Sequence, residues 1–337
     1  MKGFIKILEA IIASIILLTS LTFFFSTQLR ESNWGDTLLK IKTDDALAAL
    51  VKSGDAQQYV RTNDTEGINN ALLNPNLAIM PPTIDYSVQV LGIPNPVILV
   101  GCDCTQAQIE TLQSLLGSLN FNYKERDISI RIAPDKVDNV RNETNVLVIF
   151  GYRDLTPSKQ KLSRFLERGG TILMIGDLTE AQVNDGYLNE TFGLRWVSGS
   201  RSNTGTFLEP DNERRASFRI NKYYSNLTGS AASFDFTGTA TIQNLDERTI
   251  VTDGTFSLVK INQEIVNGHG RTVWMADPQS NSETRNMTKA IFMWASGESF
   301  KMDVTKKRPL TKNFKSSVLV YDSDPYEIVL TVWEVFQ

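Results

Sequence analysis

The sequence predicts an α/β protein with an N-terminal transmembrane helix, a parallel-sheet domain and a small antiparallel sheet. Three observations lead to this fold class. The chain begins with an uncharged run from Ala10 to Leu29, continues with apolar strands that alternate with amphipathic helices, and ends with two strand-like segments around a turn. Strand, helix and strand joined by short connections are typical of right-handed parallel crossover units.

The first thirty residues predict a membrane anchor. The stretch from Phe4 to Phe25 contains only Lys6 and Glu9 as charges, and as a helix it reaches about 33 Å, against a bilayer core of about 30 Å. Because Lys2 and Lys6 lie on its N-terminal side, the positive-inside rule places the N-terminus in the cytoplasm and the bulk of the chain outside the cell. A cleaved secretory signal and an uncleaved anchor are the alternatives for this segment.

Composition excludes several classes of protein. The 337 residues carry a net charge of −4, so nothing in the bulk charge favours nucleic acid. Two cysteines do not make a disulfide framework and one histidine excludes a histidine-rich metal site. We expect no metal and no cofactor. Five Asn-x-Ser/Thr sequons permit glycosylation, about as many as chance provides, at Asn63, Asn142, Asn189, Asn226 and Asn286.

Residues 31–95 predict a helical stalk followed by a first strand. Trp34 to Ser53 has helical periodicity, with Leu39, Ala46, Leu47 and Leu50 on one face, and a shorter helix is expected over Glu66 to Leu73. Apolar residues alternate with polar ones around Tyr86, which indicates a half-buried strand. Ile93-Pro-Asn-Pro96 then marks a domain boundary.

Residues 96–298 predict the α/β domain. Its expected strands are continuous apolar runs, which suit strands covered on both faces of a parallel sheet, at Val97–Val100, Asn145–Phe150, Thr171–Ile175 and Arg271–Ala276. Between them, a capping box at Thr105 and Gln108 opens one helix, Thr156 with Pro157 opens a second, and a third covers about Ser282 to Ala295.

The polar stretch from 195 to 265 predicts an antiparallel edge or elaborated loops. It contains short β-like runs at Ser217 to Ile220, Thr239 to Ile242 and Thr255 to Ile261.

Residues 299–337 predict a C-terminal β-hairpin. Ser317 to Tyr321 and Tyr326 to Phe336 flank the turn sequence Asp322-Ser-Asp-Pro325. We expect this hairpin to pack back on the stalk region and to pair with the strand near Tyr86. The α/β domain is then an insertion in a small sheet.

The carboxyl ends of the predicted parallel strands form the candidate ligand crevice, because open α/β sheets bind ligands there. The residues at these ends are Cys102, Asp103, Cys104, Arg153, Asp154, Asp177 and Asp277. The simpler interpretation of the aspartates is capping or loop roles, with Asp154 an equally simple partner for Arg153. His269 precedes a strand, so it lies at the wrong edge to serve a nucleophile in this crevice.

The two cysteines in this crevice permit several states. A thiol nucleophile, a two-thiolate metal site, a tight local disulfide and two idle thiols are all compatible with Cys102-Asp-Cys104. Oxidation is favoured outside the cytoplasm.

The N-terminus resembles the class III signal of type IV pilin-like proteins, especially archaeal ones. The resemblance rests on Met-Lys-Gly-Phe-Ile-Lys-Ile-Leu-Glu followed by Ala-Ile-Ile-Ala-Ser-Ile-Ile-Leu-Leu. It implies cleavage between Gly3 and Phe4 and an assembly role for Glu9, which sits one residue later than in the usual bacterial pattern. A long N-terminal helix on an antiparallel sheet is also the pilin plan.

Residues 97 to 297 resemble the class I glutamine amidotransferase-like superfamily, a Rossmann-like fold, in its non-catalytic, trehalose-utilisation-type branches. The matching segments are Val146–Gly151, Phe165–Asp177 and Gly268–Asp277. The catalytic branches carry a Gly-x-Cys-x-Gly elbow. Here the corresponding turns, Phe150–Leu155 and Ile175–Leu178, contain no cysteine, so the resemblance implies no such activity.

These observations predict a non-enzymatic, membrane-anchored surface or pilin-like protein whose α/β domain serves display or interaction. Its expected partners are the membrane and other pilin-like subunits or cell-surface proteins, without nucleic acid. The alternative is an extracytoplasmic hydrolase or carbohydrate-binding receptor that uses the strand-end crevice. An open pocket with convergent Asp177, Arg153 and Cys104 favours the alternative, whereas a crevice filled by loops favours display.

Overall fold

A computed structural model describes most of the chain after residue 33. It covers residues 34–62, 64–73, 84–184, 186–197, 202–208, 215–228, 233–237, 243–244, 246, 248–266, 269–297, 299–302, 313–320 and 325–334. The predicted anchor with Gly3, Phe4 and Glu9 lies outside these residues, as does the sequon at Asn63. Within the described ranges, no helix has the length and apolar character needed to span a bilayer.

The chain begins with three helices and a strand. They are α1 (Trp34–Lys52), α2 (Asp55–Thr62), α3 (Thr65–Leu73) and β1 (Ile84–Leu91). The predicted helix over 34–53, the helix over 66–73 and the strand around Tyr86 are confirmed. Helix α2 was not predicted, although its buried Ala56 and Val60 have the spacing of one helical turn.

The α/β part follows in the order β2 (Val97–Cys102), α4 (Gln106–Leu116), β3 (Asn120–Tyr123), β4 (Arg126–Pro134), β5 (Val146–Phe150), a 3₁₀ turn (Thr156–Ser158), α5 (Lys159–Glu167), β6 (Thr171–Ile175), α6 (Glu180–Val183), α7 (Gly186–Phe192), β7 (Thr204–Phe207), α8 (Arg215–Thr228), β8 (Ser233–Asp235), β9 (Gln243–Asn244), β10 (Thr249–Thr252), β11 (Phe256–Val266), β12 (His269–Met275) and α9 (Ser282–Ala295). Three strands end the chain: β13 (Ser299–Met302), β14 (Asn313–Val320) and β15 (Tyr326–Glu334).

A large mixed sheet organises the α/β part. Its strand order is β3-β4-β2-β5-β6-β12-β11-β10-β7-β8, with β9 paired to β11. The strands from β4 through β2, β5 and β6 to β12 are parallel, and the outer strands on both sides are antiparallel. The expected parallel sheet is therefore the centre of a wider mixed sheet.

The apolar runs occupy the middle of this sheet. Every residue of β6 is buried, and so are the first four residues of β5. A strand buried on both faces requires cover on both sides of the sheet. Helices α4, α8 and α9 pack together as one group, and α5 and α7 contact β11 and β12.

The small sheet is antiparallel and contains four strands in the order β13-β1-β15-β14. Tyr86 lies opposite Val332, so the hairpin pairs with the strand near Tyr86 as predicted. Ile328, Leu330 and Val332 are fully buried on one face of β15. Helix α1 packs against β14 and β15, which covers this sheet.

One predicted segment is wrong, and the reason is visible in the spacing of its apolar residues. The β-like run at Ser217 to Ile220 lies in helix α8. Ile220, Tyr223 and Tyr224 are buried and Leu227 is half-buried, which is the i, i+3, i+4, i+7 pattern of a helix. The run from Thr255 is confirmed as β11, whereas 239–242 lies outside the described residues.

Candidate functional site

The carboxyl ends of β2 and β5 bring Asp103 and Arg153 together. Because these strands are adjacent and parallel, the loops that follow them lie side by side. An Arg153 guanidinium nitrogen forms a salt bridge with Asp103 Oδ2, and Lys136 Nζ lies 3.4 Å from Asp103 Oδ1. The backbone N–H of Val137 also donates to Asp103 Oδ2 at 2.8 Å. With only 5% of its side chain exposed, Asp103 is engaged by three groups of the protein itself.

Cys102 and Cys104 form a disulfide that flanks Asp103. Their Cα atoms are 5.1 Å apart. Since a thiolate is the species that attacks a substrate or ligates a metal, the disulfide form supports neither role. Among a thiol nucleophile, a two-thiolate metal site, a local disulfide and two idle thiols, the structure contains the local disulfide.

Asp154 lies in the loop after β5 and accepts a hydrogen bond from the backbone of the turn that follows. Its Oδ1 accepts a hydrogen bond of 2.9 Å from the N–H of Thr156, the first residue of the 3₁₀ turn before α5. This is the local bond that aspartate forms at a turn. The sequence offered the adjacent Asp154 as a simple partner for Arg153. In the structure, the partner that Arg153 contacts is Asp103.

Backbone packs closely at the ends of β5, β6 and β12. Gly176 has φ +134° and follows β6 directly. A Cβ atom on Gly176 would lie 3.1 Å from the nitrogen of Gly151 and 3.4 Å from Asp277 Oδ1. The Asp277 carbonyl in turn accepts a 2.6 Å hydrogen bond from the N–H of Thr237. Asp177 and Asp277 are half-buried beside this contact, so polypeptide occupies the space between these strand ends.

The opposite edge of the sheet contains two adjoining cavities. The first has a volume of about 440 Å³ and lies where β5, β6 and β12 begin, lined among others by Asn142, Arg168, His269 and Arg271. The second, of about 450 Å³, shares Asn142 and Arg168 with the first and adds Lys161 and Arg164. His269 is exposed at the start of β12, the edge that its sequence position predicted.

Local sequence patterns do not single out this edge as a site. Its residues come from loops that are far apart in the chain, and only the strand order brings them together. One signal was available. Lys161, Arg164 and Arg168 have the spacing i, i+3 and i+7, which places three cations on one face of α5 and its C-cap.

The described sequons differ in exposure. Asn142, Asn189 and Asn226 are exposed, whereas Asn286 is half-buried within α9. The Asn226 amide also donates to Tyr123 Oη at 3.1 Å.

In the part of the chain with described positions, no three His, Cys, Asp or Glu side chains form a group that could hold a metal ion.

Comparisons with known proteins do not assign a family. No protein-family model matches the sequence, and no curated protein matches it. A solved structure described as "mmIFT52 N-terminal domain" aligns with 59% of this chain and 97% of its own, at 12% identity and a TM-score of 0.35. A similarity at this level does not identify a common fold family.

Proposed function

We propose that this protein is a non-enzymatic, membrane-anchored surface protein of the pilin-like kind. Its α/β domain serves display or interaction outside the cytoplasm. The observation that carries the proposal is the state of the strand-end residues. Asp103 is engaged by Arg153, Lys136 and the Val137 N–H, and the neighbouring cysteines are oxidised.

These residues are arranged as a structural junction. A catalytic carboxylate must reach a substrate, and a catalytic cysteine must be a thiolate. Here the carboxylate faces two cations and a backbone N–H, and the sulfur atoms are bonded to each other. The turns at which related catalytic domains carry their nucleophile also contain no cysteine. A junction of this kind supports a binding or display domain.

The disulfide also supports a location outside the cytoplasm. Disulfides persist in oxidising compartments and are rare in the reducing cytoplasm. This agrees with the N-terminal segment, whose uncharged run and upstream lysines favour an anchor with a cytoplasmic N-terminus. The partners that follow from this setting are the membrane itself and other pilin-like subunits or cell-surface proteins.

The resemblance of the α/β domain to glutamine amidotransferase-like proteins belongs to the same proposal. The parallel strands at the centre of the sheet and their crossover helices support it. The antiparallel strands β7, β8, β10 and β11 widen the sheet on one side. In this proposal the domain keeps a Rossmann-like centre and has no amidotransferase chemistry.

The proposal is tested by the mass and the N-terminal sequence of full-length protein extracted from host membranes. Processing of a class III signal gives a mature chain that begins at Phe4. An N-terminus at Met1 would mean that the anchor is not cleaved, and it would contradict the pilin-like part of the proposal. A chain that begins beyond Phe25, recovered from the aqueous fraction, contradicts the anchor itself.

Protease treatment of intact cells supplies the second measurement. We expect the α/β domain to be digested from outside while the membrane remains sealed. Protection of the domain until the cells are lysed would contradict an extracellular location.

A further inference from the structure

The two cavities at the amino-terminal edge of the sheet form one polar groove. We call it the amino-edge groove and define it by Asn142, Lys161, Arg164, Arg168, His269 and Arg271. Because the cavities share Asn142 and Arg168, these two residues mark the junction between them. The groove lies at the opposite end of the parallel strands from Asp103, so it is separate from the strand-end junction.

The described side chains that line the groove carry a net positive charge, within a chain of net charge −4. Among the residues that the structure describes, four cationic side chains line it: Lys161, Arg164, Arg168 and Arg271. The described carboxylates that oppose them are Asp138 and Glu143. Arg141 Nη1 lies 3.9 Å from Glu143 Oε1, which offsets part of that negative charge. The balance favours an anionic ligand.

Two of the arginines are held in place by aromatic rings. The Arg168 guanidinium lies 5.9 Å from the centre of the Phe165 ring, and it donates a hydrogen bond to Asn142 Oδ1. The Arg271 guanidinium lies 4.9 Å from the centre of the Trp294 ring and donates to the Trp294 carbonyl. Stacking of this kind restricts the guanidinium, so less entropy is lost when an anion binds.

Burial lowers the pKa of Arg271, although an arginine remains protonated at neutral pH. The charge of this side chain is therefore retained at a half-buried position, where electrostatic attraction is stronger than at an open surface.

The spacing of the cations favours a ligand with several charges in a row. Lys161 and Arg168 are seven residues apart along α5, which corresponds to about 10 Å. Arg164 lies between them, and Arg271 extends the series into the first cavity. A single small anion occupies one of these positions, whereas a chain with repeated anionic groups reaches several.

The lining also distinguishes between kinds of polyanion. Single-stranded nucleic acids bind largely by stacking bases on accessible aromatic rings. Of the rings among the described lining residues, Phe165 is only 1% exposed and lies under Arg168, which leaves the exposed His269 as a single ring for stacking. Asn142, Asn145 and Gln263 instead contribute amides, which suit hydroxyl groups.

We propose that the amino-edge groove binds an acidic oligosaccharide, with its carboxylates on Lys161, Arg164, Arg168 and Arg271 and its hydroxyls on the lining amides. This site goes beyond the proposed display function and does not depend on how the N-terminus is processed. Failure to bind a saccharide therefore leaves the anchoring proposal intact, and failure of anchoring leaves this site intact.

Binding is measured by isothermal titration calorimetry on full-length protein in nonionic detergent, with hexagalacturonate as the probe. Neutral galactohexaose is the matched sugar and the oligonucleotide dT6 is the matched polyanion. We expect hexagalacturonate to bind, to weaken as salt is raised, and to exceed both controls by at least about tenfold in affinity. Equal binding of the neutral sugar, or equal binding of dT6, would overturn the proposal.

Variants then locate the site. Lys161→Gln with Arg164→Gln alters two exposed side chains and should weaken binding by about tenfold or more, because it removes two of the cations that face the ligand. Lys159→Gln is the control on the same helix, where Lys159 Nζ lies 3.7 Å from Glu190 outside the groove. An Arg168→Gln variant tests the junction. Unchanged melting temperatures show that the variants fold, and unchanged binding by both groove variants would refute the assignment.

Discussion

Two glycines with the same backbone conformation allow one packing contact to be measured. Gly169 has φ +85° and Gly270 has φ +84°, so alanine at either position incurs the cost of a left-handed conformation, about 1–2 kcal/mol. The surroundings differ. A Cβ atom on Gly169 has no neighbour within 4 Å, whereas one on Gly270 would lie 2.6 Å from Leu166 Cβ and 2.8 Å from the Leu166 carbonyl oxygen.

The clash at Gly270 is with the α5 backbone, which cannot move without moving the helix. Overpacking of this kind costs about 1–3 kcal/mol. We therefore expect Gly169→Ala to cost about 1–2 kcal/mol and Gly270→Ala about 2–5 kcal/mol. At about 2–4 °C per kcal/mol, a difference of about 2 kcal/mol places the melting temperature of Gly270→Ala about 4–8 °C lower.

Thermal unfolding of the full-length protein, followed by tryptophan fluorescence, measures this difference. Trp274 is fully buried in β12, the strand that contains Gly270, so it contributes a signal from this region to the emission of the five tryptophans. Equal melting temperatures for the two variants would show that α5 does not approach β12 as closely as described, and the reasoning would be wrong.

Three further predictions concern other parts of the molecule. Deleting the chain from Lys315 onward should expose the buried face of the small sheet and cause aggregation, measured by light scattering; a truncated protein that stays monomeric with unchanged melting refutes this. Native protein should contain no titratable thiol and should show no cysteine-dependent hydrolysis of amide or ester substrates, because Cys102 and Cys104 are bonded; a reactive thiol whose alkylation stops turnover would promote the enzyme alternative. Finally, Asp246→Ala should destabilise more than Lys260→Met. The lysine side chain is fully buried 2.8 Å from a carboxylate that is 27% exposed, so removing Asp246 leaves a buried charge, at a cost of about 3–5 kcal/mol; equal denaturant midpoints would contradict this.

Much of the fold follows from local patterns that the sequence displays. The strands β5 and β6 are short apolar runs, and the capping box at Thr105 opens α4 with both of its reciprocal bonds. Strand order is different, because neighbouring strands come from distant segments. The antiparallel extension through β7 and β8 has no local signal that separates it from loops.

The strand-end residues show the same limit. Their location at the ends of strands was predictable, but the pairing of Arg153 with Asp103 depends on β2 lying beside β5. Sequence alone offered Asp154 as an equally simple partner for Arg153, whereas in the structure the Asp154 carboxylate accepts a hydrogen bond from the N–H of Thr156. The groove at the other edge was missed because its lining converges only after the sheet has formed.

The pairing of β1 with β13 also bears on how such a chain can be altered. Leu91, the last residue of β1, lies directly opposite Ser299, the first residue of β13. In the connectivity of the small sheet, residues 92–298 link β1 to β13 and so take the position that the turn has in a β-hairpin. A short Asn-Gly turn in their place would join two strands that are already in register. The α/β body can therefore be exchanged for another domain whose ends lie close together, while the small sheet and its helices keep their own core.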